Sequence, residues 1–317
     1  MTQENNNQEF LNAVVNGLNA TIRSLPTRFI YDDEGSRLFE KIMALPEYYL
    51  TRTEYQILKL QGKYISANAL DRQINLVELG AGNGIKTARL LSHFLDQDID
   101  LIYTPIDISQ AALDSLVSHI TPEFQNLIVK PMCMEYFQAM QILKKEEDRT
   151  RFVLFLGSNI GNMNSENARH FLSTLQNTLV PGDFVLVGFD MIKDYKMLNR
   201  AYYDSQGVTA AFNLNLLTRI NKELGGHFNT DYFRFYSYFN PKISGIESFI
   251  ISLKDQDIVI DAASESFHFA KWEAIHTEYS FKYSLESIQL LAEDSGFLIT
   301  RHFQDENSWF TDSLWRV

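Results

Sequence analysis

The spacing of apolar residues along the chain changes at residue 74. Before it, apolar residues recur every three or four positions, which predicts amphipathic helices over 10–22, between Ser36 and Pro46, and after Thr51. Beyond it, short apolar runs alternate with helical patterns. The runs predict strands over 74–79, 100–107, 127–129, 151–156 and 183–189. Such continuously apolar strands indicate a parallel sheet buried on both faces, so we predict an α/β fold.

The alternation ends after residue 190. The elements predicted beyond it are a helical, polar-aromatic segment, two antiparallel strands, a capped helix and a final strand, over 195–245, 248–253, 258–260, 284–296 and 297–303. This break predicts three stretches of chain: a sheet domain with its N-terminal helices over 8–194, an inserted α+β lid domain over 195–281, and a return to the sheet domain over 282–317.

Charge and hydropathy narrow the classes of partner. The 317-residue chain has 28 Lys and Arg against 40 Asp and Glu, a formal net charge of −12. A field of that sign repels phosphate backbones and anionic lipids, which argues against nucleic-acid and membrane partners. No apolar stretch approaches the ~20 residues of a transmembrane helix, and the polar start of the chain is unlike a secretory signal. We expect a cytoplasmic monomer that acts on a small molecule.

Cysteine and histidine usage argues against a disulfide framework and against a metal site. Cys133 is the single cysteine, so the chain can form neither an internal disulfide nor a zinc-binding CxxC pair, and we expect it to be a small buried residue. The seven histidines lack metal-ligand spacing, which indicates structural roles for them.

A glycine-rich turn joins the first predicted strand to the helix that follows. Its sequence, Gly80-Ala81-Gly82-Asn83-Gly84, has the spacing GxGxG, whereas the dinucleotide fingerprint is GxGxxG. Glycines allow a tight turn and a close backbone approach to a ligand. The second strand ends in Asp107, whose carboxylate can accept hydrogen bonds from both hydroxyls of a ribose. Together these features favour an S-adenosylmethionine (SAM) site, with an NAD-dependent oxidoreductase as the second interpretation.

Glu135 and Tyr136 follow the third predicted strand. At that position in such a fold, an acidic residue can bind the adenine amino group while a ring stacks on the adenine face. A core-facing ring beside a solvated glutamate explains the same two residues equally well. Both interpretations stay open on the residues alone.

Several separate segments resemble, in the same order, those of one enzyme family. They are Tyr31-Asp32-Asp33-Glu34-Gly35-Ser36, Leu45-Pro46-Glu47-Tyr48-Tyr49, Thr51-Arg52-Thr53-Glu54, the glycine turn with Lys86-Thr87, Leu156-Gly157-Ser158-Asn159-Ile160-Gly161-Asn162, Tyr202 through Gly207-Val208-Thr209-Ala210-Ala211-Phe212-Asn213, and Thr277-Glu278-Tyr279-Ser280. The chain thus resembles the histidine-specific SAM-dependent methyltransferases, whose type member, an ergothioneine-pathway enzyme, trimethylates the α-amine of L-histidine. The resemblance runs from residue 27 or so to the C-terminus.

This resemblance implies a fold and a methyl donor. The fold would be a Rossmann-like class I methyltransferase domain with an inserted α+β substrate-binding domain, which agrees with the break near residue 195. The donor would be SAM. Carried over position by position, the contacts to it would be Gly80, Gly82 and Lys86 at the methionyl part, Asp107 at the ribose, Glu135 with Tyr136 at the adenine, and Gly157 as a further cofactor residue.

The resemblance also implies a binding site for the amino-acid substrate. Its members would be Asn162 and Tyr202 at the α-carboxylate, Tyr31 and Phe39 beside the amine, and Tyr48, Glu278 and Ser280 at the imidazole. Tyr31 and Asn162 are the expected catalytic residues. Methyl transfer needs a neutral amine held in line with the methyl group and little covalent help from the protein. For Phe39, plain core packing is an equally good explanation of the ring.

One position departs from the family pattern. Ser248 stands where the histidine enzyme has a methionine, which changes the size and polarity of the pocket around the substrate side chain. Two substrates therefore remain open: histidine, favoured by the pair Glu278 and Ser280, or another aromatic amino acid such as tryptophan. A catalytically silent SAM-binding module is the alternative from a different class. For histidine, the expected product is the trimethylated betaine, hercynine.

Overall fold

The computed structural model describes residues 3–69, 73–145 and 149–317. Its α-helices are, in chain order, α1 (Gln3–Asn19), α2 (Asp33–Ala44), α3 (Tyr49–Ser66), α4 (Ile85–Leu95), α5 (Gln110–Glu123), α6 (Tyr136–Leu143), α7 (Ser165–Gln176), α8 (Tyr195–Tyr202), α9 (Val208–Leu224) and α10 (Leu285–Asp294). Its strands are β1 (Gln73–Leu79), β2 (Asp100–Asp107), β3 (Ile128–Val129), β4 (Met132–Cys133), β5 (Thr150–Phe155), β6 (Phe184–Asp190), β7 (Phe233–Asn240), β8 (Gly245–Ser252), β9 (Gln256–Ile260), β10 (Glu265–Phe269), β11 (Ala274–Phe281), β12 (Leu298–Gln304) and β13 (Phe310–Arg316).

The chain forms two compact units. The first, here called the sheet unit, consists of Leu50–Ile192 and Lys282–Val317. The second, the α+β unit, consists of the described residues up to Tyr49 together with Lys193–Phe281. The N-terminal helices α1 and α2 thus group with the α+β unit, whereas the sequence pattern assigned them to the sheet domain.

A mixed sheet is the core of the sheet unit. Its strand order is β12-β13-β6-β5-β1-β2-β3, and β4 also pairs with β2. The pairs from β6 to β3 are parallel, as the apolar runs predicted, and the pairs of β13 with β6 and with β12 are antiparallel. The interior of β1, β5 and β6 is fully buried. The predicted α/β fold with a buried parallel sheet is therefore confirmed.

The last strand differs from the prediction. The strand expected over 297–303 is present as β12, but it lies at the sheet edge, and β13 separates it from β6. The pattern missed β13 because its middle residues Thr311, Asp312 and Ser313 are polar, although all three are fully buried. A polar run of this kind reads as a loop until its neighbouring strands are known.

A three-stranded antiparallel sheet, β11-β8-β7, belongs to the α+β unit. The segment 195–245 was expected to be helical throughout, and this is wrong for β7. Its residues alternate in burial, with Phe233, Phe235 and Ser237 inside and Arg234 and Tyr236 outside. That period of two is the mark of a half-buried strand, and the many rings in the segment obscured it.

Backbone pairing explains why the N-terminal residues belong to the α+β unit. The amide of Leu25 donates to the His276 carbonyl at 2.8 Å, and the His276 amide donates to the Arg23 carbonyl at 2.9 Å. The Thr27 hydroxyl donates to the Thr277 carbonyl at 2.7 Å. These bonds extend the edge of β11, and α2 packs on α9 in the same unit.

Two further sequence expectations concern single features. Cys133 is exposed rather than buried, because the short strand β4 lies at the outer side of β2. Within the described ranges, no helix has the length and apolarity needed to cross a membrane. The same residues contain no group of three or more His, Cys, Asp or Glu side chains placed to hold a metal ion.

Candidate active site

The glycine turn follows β1 in the sheet unit and requires its glycines. Gly80, Gly82 and Gly84 have φ angles of 74°, 53° and 69°, which L-residues rarely adopt. A Cβ added to Gly80 would lie 2.6 Å from the hydroxyl of Tyr136, whereas one added to Gly82 would meet nothing within 4 Å. The backbone at Gly82 is therefore open to a ligand.

Asp107 lies beside this turn, at the carboxyl end of β2. Its Oδ2 accepts from the Gly82 amide at 3.4 Å, and its Oδ1 accepts from the Ser109 amide at 3.0 Å. Burial raises the pKa of Asp107, and these amides act in the opposite direction. Parallel sheets bind ligands at this edge, and a carboxylate there can accept hydrogen bonds from ribose hydroxyls.

Tyr136 begins α6 and approaches the same turn. Its hydroxyl lies over Gly80, and its ring packs 6.4 Å from that of Phe155 and 6.5 Å from that of Phe171. Burial raises the pKa of Tyr136, so its phenol stays neutral at physiological pH. Glu135, the residue before it, is exposed and makes no side-chain cap at the start of α6. The structure thus brings Tyr136 next to the glycine turn.

Lys86 forms an ion pair with Glu54, a buried residue of α3. The other carboxylate oxygen of Glu54 accepts from the Gly157 amide at 2.6 Å. Lys86 and Gly157, both predicted cofactor residues, are therefore joined through one carboxylate. Glu54 was not among the predicted site residues. Glu54 lies in the Thr51–Glu54 segment that resembles the family, and this was the one sign of a functional role. Helical spacing alone does not show that an acidic residue is buried.

In the α+β unit, the predicted substrate residues form a connected group of rings. Tyr31 lies 5.6 Å from Phe39 between ring centroids, Phe39 lies 6.2 Å from Tyr48, and Tyr48 lies 6.2 Å from Tyr202. Phe212 on α9 packs against both Tyr31 and Phe39, at 5.3 and 5.9 Å. Phe212 was not predicted, because a lone ring on the apolar face of a helix looks like ordinary core.

Asp32 explains how Tyr31 is held in this group. The Asp32 carboxylate caps α2 by accepting from the Gly35 amide at 2.7 Å. The same oxygen accepts from the Asn215 side chain on α9, also at 2.7 Å. The residue after Tyr31 is therefore tied to α9 as well as α2, which fixes the chain direction at the ring.

Polar side chains of β11 lie next to this group of rings. The hydroxyls of Tyr202 and Ser280 are 2.7 Å apart and buried. Glu278 lies two residues before Ser280, so both side chains project from the same side of the strand. Ser248 on β8 pairs directly with Glu278 and is fully buried, with its hydroxyl 3.4 Å from that of Ser237. A carboxylate and several hydroxyls thus share one face of this sheet.

Asn162 belongs to the sheet unit. It ends the short 3₁₀ helix Asn159–Asn162, which follows β5, and it is exposed. The turn before it is fixed because the Gly161 amide donates to the Ser158 carbonyl at 2.8 Å. The predicted cofactor residues and Asn162 therefore lie in the sheet unit, and the other predicted substrate residues lie in the α+β unit.

The sequence is similar to known proteins over nearly its whole length. The family model of the SAM-dependent, histidine-specific methyltransferases matches residues 10–317. A histidine N-alpha-methyltransferase of Mycolicibacterium smegmatis is 37% identical over 94% of this chain and 92% of its own, and one of Mycobacterium tuberculosis is 33% identical over 95% and 92%. Ergothioneine biosynthesis protein 1 of Schizosaccharomyces pombe is 28% identical over 88% of this chain and 37% of its own. The chain belongs to the SAM-dependent, histidine-specific methyltransferase family.

Proposed function

We propose that this enzyme transfers methyl groups from SAM to the α-amine of L-histidine, up to the trimethylated product. The observation that carries the proposal is the group on β11 and α8. There Glu278 and Ser280 project side by side, Tyr202 bonds to Ser280, and a connected set of rings adjoins them. A carboxylate and hydroxyls beside rings suit an imidazole, which has two polar ring nitrogens and two flat faces.

The residues of the glycine turn fit SAM. The open backbone at Gly82 leaves room for the methionyl part, the Asp107 carboxylate can accept from the ribose hydroxyls, and Tyr136 can stack on the adenine. Lys86 supplies a positive charge for the carboxylate of the methionyl part. Bound SAM supplies an electrophilic methyl group on a sulfonium. We assign Gly80, Glu135 and Gly157 to the same site on the family pattern.

The substrate residues bind and orient the amino acid. Glu278 accepts a hydrogen bond from one imidazole nitrogen, and Ser280 bonds to the other. On the family pattern, we assign Asn162 and Tyr202 each to the α-carboxylate. Holding the amine lone pair in line with the methyl group lowers the entropic part of the barrier to such a transfer. The rings of Tyr31, Phe39 and Tyr48 offer their faces to a nitrogen that becomes cationic as methyl groups are added.

Ser248 supports a second candidate substrate. This buried residue lies opposite Glu278, and a serine leaves more space there than the methionine of the histidine enzyme. A larger aromatic amino acid such as tryptophan is therefore the alternative. The location in the cytoplasm, the monomeric state and the lack of nucleic-acid partners stay predictions, based on the sequence and its net charge of −12.

Incubation with SAM and a panel of free amino acids, read by mass spectrometry, tests the proposed reaction. We expect mass gains of one, two and three methyl groups on histidine, and conversion of added mono- and dimethylhistidine to the same final product. Products on tryptophan or tyrosine in place of histidine would identify the alternative substrate. No product with any amino acid would favour the silent binding module.

Replacing Glu278 with alanine should raise the KM for histidine about 10- to 100-fold, because a hydrogen bond to a charged group contributes about 1.5–3 kcal/mol. The KM for SAM should change little. Glu247→Ala is the matched control: Glu247 pairs with Tyr279, lies one residue from Ser248 on the opposite face of the sheet, and bonds to Tyr238 and Asn240. Steady-state kinetics measure both constants. Equal changes in the two KM values would argue against a contact between Glu278 and the imidazole.

A further inference from the structure

Two buried acidic residues of the sheet unit, Glu54 and Asp312, lie close to Lys86. The register of the antiparallel pair β6 and β13 places Asp312 directly opposite Gly188. A Cβ added to Gly188 would lie 2.5 Å from Oε1 of Glu54. The Glu54 carboxylate therefore occupies the space that a side chain at Gly188 would fill. Residues directly opposite each other on antiparallel strands project to the same face, so the Asp312 carboxyl lies beside it.

Both acids are removed from solvent. Glu54 is 1% exposed and Asp312 is 0% exposed. Both carboxylate oxygens of Glu54 accept hydrogen bonds, one from Lys86 and the other from the Gly157 amide. Neither oxygen of Asp312 has a hydrogen-bond partner among the described residues. Burial and the Glu54 charge raise the pKa of Asp312 well above its usual range. The ion-pair partner of Lys86 is therefore Glu54 and not Asp312.

We propose that Glu54 is a positioning residue for cofactor binding, and that the space at Gly188 and the bond from the Gly157 amide hold its carboxylate where it aims Lys86 at the carboxylate of the methionyl part of SAM. This inference rests on the proposed function, which assigns that contact to Lys86. A lysine side chain has four rotatable bonds, and an anchored partner reduces the freedom it must lose on binding the anion. The Gly157 amide fixes the anchor in turn.

The test compares ligands that do and do not carry the amino-acid part. SAM and S-adenosylhomocysteine have an α-carboxylate, whereas 5′-methylthioadenosine keeps the adenosine and the thioether but lacks the carboxylate. For Glu54→Gln, calorimetry should show about tenfold weaker binding of the first two ligands and at most about a twofold change for the third. Glu166→Gln, an exposed acid on α7, is the matched control and should change none of them.

Gly188→Ala provides a second route to the same result. The new methyl group would displace the Glu54 carboxylate without removing its charge, so binding of SAM should again weaken while binding of 5′-methylthioadenosine is kept. Circular dichroism checks that each variant is folded. Equal weakening of all three ligands, or no weakening of any, would overturn the positioning role of Glu54.

Lys86→Met separates this inference from the proposed function. If Lys86→Met weakens SAM selectively and Glu54→Gln does not, Lys86 binds the carboxylate without help from Glu54, and only the inference fails. If Lys86→Met leaves SAM binding unchanged, the assignment of Lys86 to the cofactor fails, and the inference fails with it.

Discussion

Replacing Lys282 with methionine is expected to lower the free energy of unfolding of the sheet unit by about 3–5 kcal/mol, because breaking a buried ion pair leaves a charge uncompensated. The Lys282 ammonium lies 2.8 Å from the Asp190 carboxylate, and both side chains are 0% exposed. Urea unfolding followed by circular dichroism measures the loss.

The ion pair lies where the chain returns to the sheet unit after the α+β unit. Asp190 ends β6, and Lys282 begins the segment that comes back to the sheet unit. The Tyr283 amide donates to the Asp190 carbonyl at 2.9 Å, and the Ile192 amide donates to the Tyr283 carbonyl at 2.8 Å. The ion pair and these backbone bonds together attach the return segment to the end of β6.

Two further variants make the expectation specific. Lys130→Met removes an exposed lysine of the same unit and should change the free energy of unfolding by less than about 0.5 kcal/mol. Adding Asp190→Asn to Lys282→Met should restore part of the lost stability, because it removes the uncompensated charge. A double variant that is no more stable than Lys282→Met would contradict this electrostatic explanation.

The second large expected effect is that the free energy of unfolding depends on pH, because of Glu78. This residue of β1 is buried beside the glycine turn, where the Thr87 hydroxyl donates to one of its oxygens at 2.6 Å and the Tyr103 hydroxyl donates to the other. Burial raises the pKa of Glu78 from 4.5 to about 7, although these hydrogen bonds act against the shift. The folded protein therefore holds a proton at Glu78 that the unfolded chain releases at lower pH.

Stability should consequently fall as the pH rises. Below a pH of about 4.5, Glu78 is protonated in both the folded and the unfolded protein, and its stabilising contribution is complete. Above that pH the unfolded chain loses the proton first, so the contribution decreases. It is gone once the pH passes about 7. Because the folded and unfolded states bind this proton with different affinities, the free energy of unfolding should drop by about 2–3 kcal/mol between pH 5 and pH 8.

Glu78→Gln isolates this contribution, since glutamine has the same shape and cannot ionise. The difference in free energy of unfolding between Glu78→Gln and the unmodified protein should grow in favour of the variant over that pH range. Glu166→Gln, at an exposed site, should show no such trend. A constant difference across the range would mean that the Glu78 carboxyl titrates near its ordinary pKa.

The parts of the site near the sheet were largely predictable. Apolar runs marked the strands, and the carboxyl ends of parallel strands meet at one edge, so Asp107 and the glycine turn were expected to lie together. The contact between Gly82 and Asp107 agrees with that expectation. The resemblance added Tyr31, Phe39, Tyr48 and Tyr202, whose rings do lie in one connected group.

Other features could not be predicted, because they depend on neighbours that are distant in sequence. Glu54 and Lys86 come from different helices, and Asp312 comes from the last strand, so no local period relates them. Phe212 joins the ring group only because α9 packs on α2. In β13 the buried polar residues hid the strand altogether.

By itself, the sequence determined the alternating strands and helices, the glycine turn with Asp107 at one sheet edge, and the family resemblance. Each of these depends on local residue spacing or on motifs that are continuous in the chain. Only the tertiary structure decided that the N-terminal helices group with residues 193–281, that β13 lies beside β6, and that Glu54 and Asp312 sit under Lys86. These features arise from strand register, close packing and the exclusion of water around charges. Such interactions join residues far apart in the chain and leave no periodic trace in it.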